Sequence, residues 1–139
     1  LADSPQTALY ESLLRRETVS RTLSELRRRC LVEFVTSGPL RLADVRGLAE
    51  PYPVLQAQRI AITQGFAQEC RAQQLDGIVY ASAQHPLHAC VALFESGMAQ
   101  VKKVSSLPLV RPGTRQLLTC VTDAARRSGV ALLDFPDAD

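Results

Sequence analysis

Short apolar runs, with stretches of helical spacing that alternate with them only in part, constrain this chain more than any other feature. Cys30-Leu-Val-Glu-Phe-Val-Thr36 alternates like a strand, and Ser37-Gly-Pro39 turns it toward a second strand near Leu40 to Val45, a layout compatible with a hairpin. Gly77 breaks the chain before the β-branched and aromatic strand Ile78-Val79-Tyr80. A further strand runs from Cys90 to Phe94, Gly97 opens a turn to another around Val101 to Val104, and Val130 to Phe135 closes the chain.

Between these runs lie the helices. Ser4 followed by Pro5 is a helix start, because the serine hydroxyl caps a backbone N–H and a first-turn proline has none to lose. That helix is expected to run to about Arg16. Thr22 and Glu25 have capping-box spacing, which predicts a second helix from Thr22 to Arg29. Pro51 and Pro53 bracket a loop, after which Leu55 to Gln73 carries Ile60, Phe66 and Ala67 at helical spacing. Thr114 is the expected cap of a last helix that ends at Gly129, where glycine takes the left-handed conformation.

Strands this short, only partly interleaved with helices, favour an α+β domain over a doubly wound parallel sheet. A chain of 139 residues suits one domain with one core, and its 46% hydrophobic and 22% charged residues fit a globular protein. No glycine-rich phosphate loop is present, so a nucleotide would have to be held by other means than a Rossmann or P-loop turn. No apolar run approaches the roughly 20 residues of a membrane span, and the start lacks a secretory layout. A cytoplasmic location is therefore expected. The first residue is Leu1 rather than Met, which leads us to expect that an N-terminal part of the domain precedes it.

The cysteines, Cys30, Cys70, Cys90 and Cys120, never fall in a C-x-x-C pair and read as buried thiols. Lys102 and Lys103 are the only lysines, so fourteen of the 16 basic residues are arginine. Arg15–Arg16 and Arg27–Arg28–Arg29 read either as solvated helix faces or as an interface for an acidic partner. A net charge of +2 does not by itself call for nucleic acid.

Four segments, in order, resemble the RES-domain family: Leu1-Ala-Asp-Ser-Pro-Gln-Thr-Ala-Leu-Tyr-Glu11, with a strand leading to a T-A-L-x-E helix; Ile62-Thr-Gln64; Leu75-Asp-Gly-Ile-Val-Tyr-Ala-Ser82; and Cys90-Val-Ala-Leu-Phe94. The resemblance covers Leu1 to Phe94 and says little of the last third. It implies an ADP-ribosyltransferase-like fold, with two small sheets forming a cleft and flanking helices. It also implies a toxin of a bacterial toxin–antitoxin pair that cleaves NAD+ at the nicotinamide–ribose bond by hydrolysis or phosphorolysis, with no metal. Implied partners are an Xre-type antitoxin and a second copy of the chain, with nucleic acid reached only through the antitoxin. Of the family's arginine, tyrosine, glutamate and serine, Glu11 and Ser82 carry over. The other two belong upstream of Leu1, so the chain as written is expected to be weakly active or inactive.

Departure of nicotinamide leaves positive charge on the ribose, which a carboxylate can stabilise as in glycoside cleavage. Glu11 is the candidate, at the margin of the apolar face made by Leu9, Tyr10, Leu13 and Leu14; spacing alone reads it equally as a surface glutamate. Ser82 is a hydrogen-bond donor to a phosphate or ribose oxygen, or else a plain turn residue. Tyr80 either packs in the core or stacks on nicotinamide or adenine, Gln64 either binds the dinucleotide or is solvated, and His85 reads as a loop residue at the cleft edge. His85, His88 and Cys90 invite a zinc reading, but Pro86 interrupts any helix that would align them and no acidic ligand completes the set. Two further functions stay open: protein mono-ADP-ribosylation at the same site, and a non-enzymatic binding module using Arg27 to Arg29.

Overall fold

Ser4 begins the first helix as its sequence predicts: its side chain accepts the Thr7 N–H at 3.2 Å, with Pro5 in the first turn. In the computed structural model, which describes residues 1–48 and 60–133, the elements run α1 (Pro5–Ser12), β1 (Ser20–Thr22), α2 (Leu23–Arg27), β2 (Cys30–Thr36), β3 (Leu42–Asp44), α3 (Ile60–Ala72), β4 (Gly77–Ala81), β5 (Ala89–Leu93), α4 (Glu95–Met98), β6 (Val101–Pro108), α5 (Thr119–Ser128) and β7 (Ala131–Leu133). This is the expected α+β architecture of small sheets and helices. Among the described residues the sheets number three: β3-β4-β5, β1-β7 and β2-β6.

Helix α1 stops at Ser12, one turn short of the predicted Arg16, so that Leu13 and Leu14 both reach the core. Arg21 Nε then donates to the Leu13 carbonyl at 2.8 Å, satisfying an acceptor left over at the helix end. At α2 the capping box forms as read, with the Glu25 N–H on Thr22 Oγ1 and the Thr22 N–H on Glu25 Oε2. It ends at Arg27 rather than Arg29. β2 has its predicted bounds but makes no hairpin with β3; it pairs with β6, while β3 runs parallel to β4. Gly97 lies inside the short helix α4 rather than opening a turn. Thr114 does not cap α5, whose N-cap is Leu118; its hydroxyl donates to the Arg111 carbonyl and accepts from the Gln116 N–H, closing a local turn. Gly129 ends α5 at φ +73°, as expected. The Pro51–Pro53 loop, residues 55–59 of the third predicted helix and residues 134–135 of the closing strand lie outside the described residues.

Two units divide the chain. The first takes in the described parts of 4–34, 83–85 and 103–133. Its core is Leu9, Tyr10, Leu13 and Leu14 from α1 and its exit, Leu23 and Leu26 from α2, Leu109 and Val110, and Val121, Ala124 and Ala125 from α5, with Val130 after it. The spacing of Val121, Ala124 and Ala125 makes one stripe on α5, and small alanines there let α5 come close to α1. Each fully buried leucine contributes about 1.5–3 kcal/mol of transfer free energy. Parallel pairing of Ser20 with Ala131 and Thr22 with Leu133 adds the β1-β7 ladder to this unit.

The second unit takes in the described parts of 1–3, 35–82 and 86–102. Here β4 is the central strand, parallel to β3 on one side and antiparallel to β5 on the other, with Ile78 opposite both Ala43 and Ala92. Asp76, buried, fixes the start of β4. Its carboxylate accepts the Arg41 N–H at 2.9 Å and the Gln100 side-chain amide at 3.1 Å, and its own carbonyl accepts the Phe94 N–H. Glycine follows it because a Cβ at residue 77 would overlap the Ala92 carbonyl, and at Gly97 a Cβ would overlap the Asp76 carbonyl. Phe94 is buried with the Arg71 guanidinium 4.7 Å over its ring. No disulfide joins the four cysteines, all of which are described. Cys70 and Cys90 are buried as expected, Cys120 is half-buried and Cys30 is exposed, because the face of β2 is uncovered. Burial pushes the Cys70 thiol up, away from its thiolate.

Candidate functional site

Glu11 and His85 fall in one unit and Gln64, Tyr80 and Ser82 in the other. Glu11 lies in the last turn of α1, half-buried, at the edge of the apolar stripe as its position in the sequence suggested. Its Oε1 accepts the backbone N–H of Gln84 at 3.2 Å. Gln84 in turn accepts the Arg16 backbone N–H on its side-chain Oε1 at 2.8 Å. One residue of the 83–85 loop thus holds the Glu11 carboxylate and the exit of α1 together.

His85 completes the attachment of that loop. Its Nδ1 is 2.8 Å from Thr7 Oγ1, and Thr7, fully buried, shares a second hydrogen bond with Ser4 Oγ at 2.7 Å. The imidazole meets the Tyr10 ring edge-on, with centroids 5.0 Å apart and planes at 82°. Tyr10 itself is 7% exposed, and its hydroxyl accepts from Gln6 Nε2 at 2.8 Å. Thr7 and Glu11 are four residues apart and therefore share a helix face, which turns T-A-L-x-E into two anchors for one loop. A carboxylate so held keeps its orientation without a further entropic cost when a ligand arrives.

Ser82 follows β4 and is 8% exposed, its N–H donating to the His88 carbonyl at 2.8 Å. Tyr80, opposite Cys90 in β4, is 38% exposed, which speaks against core packing. Gln64 is exposed on α3. His88 Nδ1 lies 3.1 Å from the Asp3 carboxylate, which also accepts the Ala89 N–H at 2.8 Å. Those contacts, with the Ala2–Cys90 bridge, tie the first residues to β5.

Thr7, Tyr10 and Gln84 were not singled out by sequence as parts of a site. For Thr7 the signal was present in its helical spacing to Glu11; for Gln84 none existed, because it meets Glu11 through its peptide N–H. The Asp-Gly pair of D-G-I-x-Y-x-S has a structural explanation in the buried Asp76 carboxylate and the crowded Gly77. No helix among the described residues is long and apolar enough to cross a membrane.

Compared with known proteins, residues 1–112 match the RES domain. Neither a curated protein nor a solved structure matches the chain.

Proposed function

The chain belongs to the RES-domain family, and on that footing we propose that it is the toxin of a bacterial toxin–antitoxin pair, cleaving NAD+ at the nicotinamide–ribose bond. The family is associated with NAD+-cleaving toxins of such pairs, and so with NAD-related enzymatic activity in general. The observation that carries the reading for this chain is the Glu11 carboxylate, half-buried and held by the Gln84 N–H.

In this reading the C–N bond between ribose and nicotinamide breaks with its electron pair going to the departing ring, which leaves as neutral nicotinamide. The ribose carries oxocarbenium-like positive charge, which Glu11 stabilises from a fixed position. Water attacks the anomeric carbon and loses a proton, giving ADP-ribose and H+; phosphate in its place gives ADP-ribose 1″-phosphate. Ser82 donates a hydrogen bond to a ribose or phosphate oxygen, Tyr80 and Gln64 contact the dinucleotide, and His85 holds the loop that holds Glu11. Metal has no part in it. The toxin works in the cytoplasm as a homodimer, and an Xre-type antitoxin restrains it.

Full-length protein incubated with NAD+ is expected to release nicotinamide, detected by chromatography, with the rate falling about 10²–10³-fold in Glu11→Gln. NAD+ that stays intact in water and in phosphate, with no label passed to protein in a cell extract, would overturn the reading.

A further inference from the structure

Beside the Glu11–Gln84 contact, and within the same unit, Tyr10, Leu14, Arg16, Gln84, Arg127 and Ser128 line a pocket of about 250 Å³. Its size falls below the roughly 300–1,000 Å³ of sites that enclose a whole cofactor, so it suits one charged group of a larger ligand or a small ion. Two of its six lining residues are arginines, and neither is in an ion pair among the described residues, whereas the neighbouring Arg126 is paired with Asp123. Like charges around one small space repel, and an anion between them converts that repulsion into attraction.

Helix electrostatics account for only one of the two. Arg127 lies in the last turn of α5, where backbone carbonyls favour a cation. Arg16 lies four residues beyond the last residue of α1, outside the turn in which that effect acts. A second observation is independent of charge. Tyr10 is 93% enclosed, consistent with its 7% exposure, and its hydroxyl accepts from Gln6, so its own proton has no acceptor among the described residues. Tyr10 lines the pocket, and an oxygen of an anion bound there would accept that proton. Ser128 adds no donor, because its hydroxyl is spent on the Ala125 carbonyl at 3.1 Å.

We propose that Arg16, Arg127 and Tyr10 form a phosphate-recognition site. Guanidinium groups suit phosphate oxygens in paired hydrogen bonds, and the phenol supplies a third donor from the wall. The group recognised is a phosphate of a nucleotide or free orthophosphate. The nucleotide form rests on the NAD+ reading above; the anion site does not.

Calorimetric titration of the protein with ADP-ribose, and separately with orthophosphate, tests it. Wild-type protein is expected to bind at least one, with Kd raised about tenfold or more in Arg16→Gln and in Arg127→Gln, and Arg127→Lys in between. Tyr10→Phe keeps the ring and its packing, and is expected to weaken binding severalfold. Preference for ADP-ribose assigns the pocket to a nucleotide, and preference for orthophosphate assigns it to the free ion. No binding by wild type, or unchanged Kd in Arg127→Gln with its circular dichroism intact, overturns the site. NAD+ cleavage with an unchanged KM in Arg127→Gln would sink the nucleotide form of the site and leave the cleavage reading standing. Anion binding lost in the variants while NAD+ survives wild type would do the reverse.

Discussion

The fully buried hydroxyl of Thr7 lies 2.8 Å from Nδ1 of His85, 78 residues further along the chain. Thr7 combines a hydrogen-bonding oxygen with the volume of a β-branched residue in a fully buried position. Thr7→Val keeps the shape and removes the bonds to His85 and Ser4. The expected cost is about 1–3 kcal/mol, read as a fall in Tm on the order of 5–10 °C. An unchanged melting curve would show that the loop is held without Thr7.

Glu11 is expected to separate two roles. Glu11→Gln retains an oxygen for the Gln84 N–H but loses the charge, so its Tm should stay within a few degrees of wild type while cleavage drops. Glu11→Ala removes the acceptor as well and is expected to lose about 1 kcal/mol of stability in addition. Urea denaturation of the pair, alongside nicotinamide release, checks both. Equal stability of the two variants would mean that the contact with Gln84 contributes nothing.

Three glycines should respond in opposite senses to alanine. At Gly77 and Gly97 the added methyl meets the backbone carbonyls of Ala92 and Asp76, which cannot move without parting the sheet from its neighbours. Losses of about 2 kcal/mol or more are expected at each. Gly65, inside α3 with nothing within 4 Å, should gain about 0.4–1 kcal/mol. Denaturation midpoints measure all three.

Asp44 offers a test by pH. The Arg46 side chain bonds both carboxylate oxygens, at 2.9 and 2.5 Å, and with the Arg46 backbone N–H it holds the carboxyl at about 2, below its ordinary 3.8. A depressed folded-state value stabilises the fold above pH 3.8, and that contribution fades as pH falls through about 2. Both groups are exposed, so the effect is expected to weaken in salt. Carbon-detected NMR titration should place the Asp44 midpoint near 2, returning toward 3.8 in Arg46→Gln.

Helix starts were legible where a side chain itself does the capping, at Ser4 and Thr22, and the Gly129 stop where only φ matters. Thr114 has the right hydroxyl for a cap, but its neighbour Gly113 at φ +71° bends the chain into a turn that uses it first. The end of α1 was not legible, since nothing in Leu13-Leu14-Arg15-Arg16 breaks a helix; packing of both leucines and the distant Arg21 decide it. Nor was β1, three residues long and defined by a partner far along the chain. Short strands announce their existence through β-branched runs, whereas their partners are set by contacts that no local pattern encodes, which is why β2 met β6 and not β3. For the site, Glu11 and its place at the stripe edge followed from helical spacing. The loop that grips it did not, because its key donor is a peptide N–H.

The β1-β7 ladder joins residues 20–22 to residues 131–133, so its two halves leave the ribosome at opposite ends of a long interval. Until Leu133 has emerged, β1 has no strand to lie against, and α1 lacks the α5 stripe that covers it. Loop closure over such a distance is slow and comes late in folding. The nascent polypeptide therefore carries Glu11 on an unfinished scaffold until β7 has been made, and the cell making it meets a finished unit only after synthesis has passed that strand.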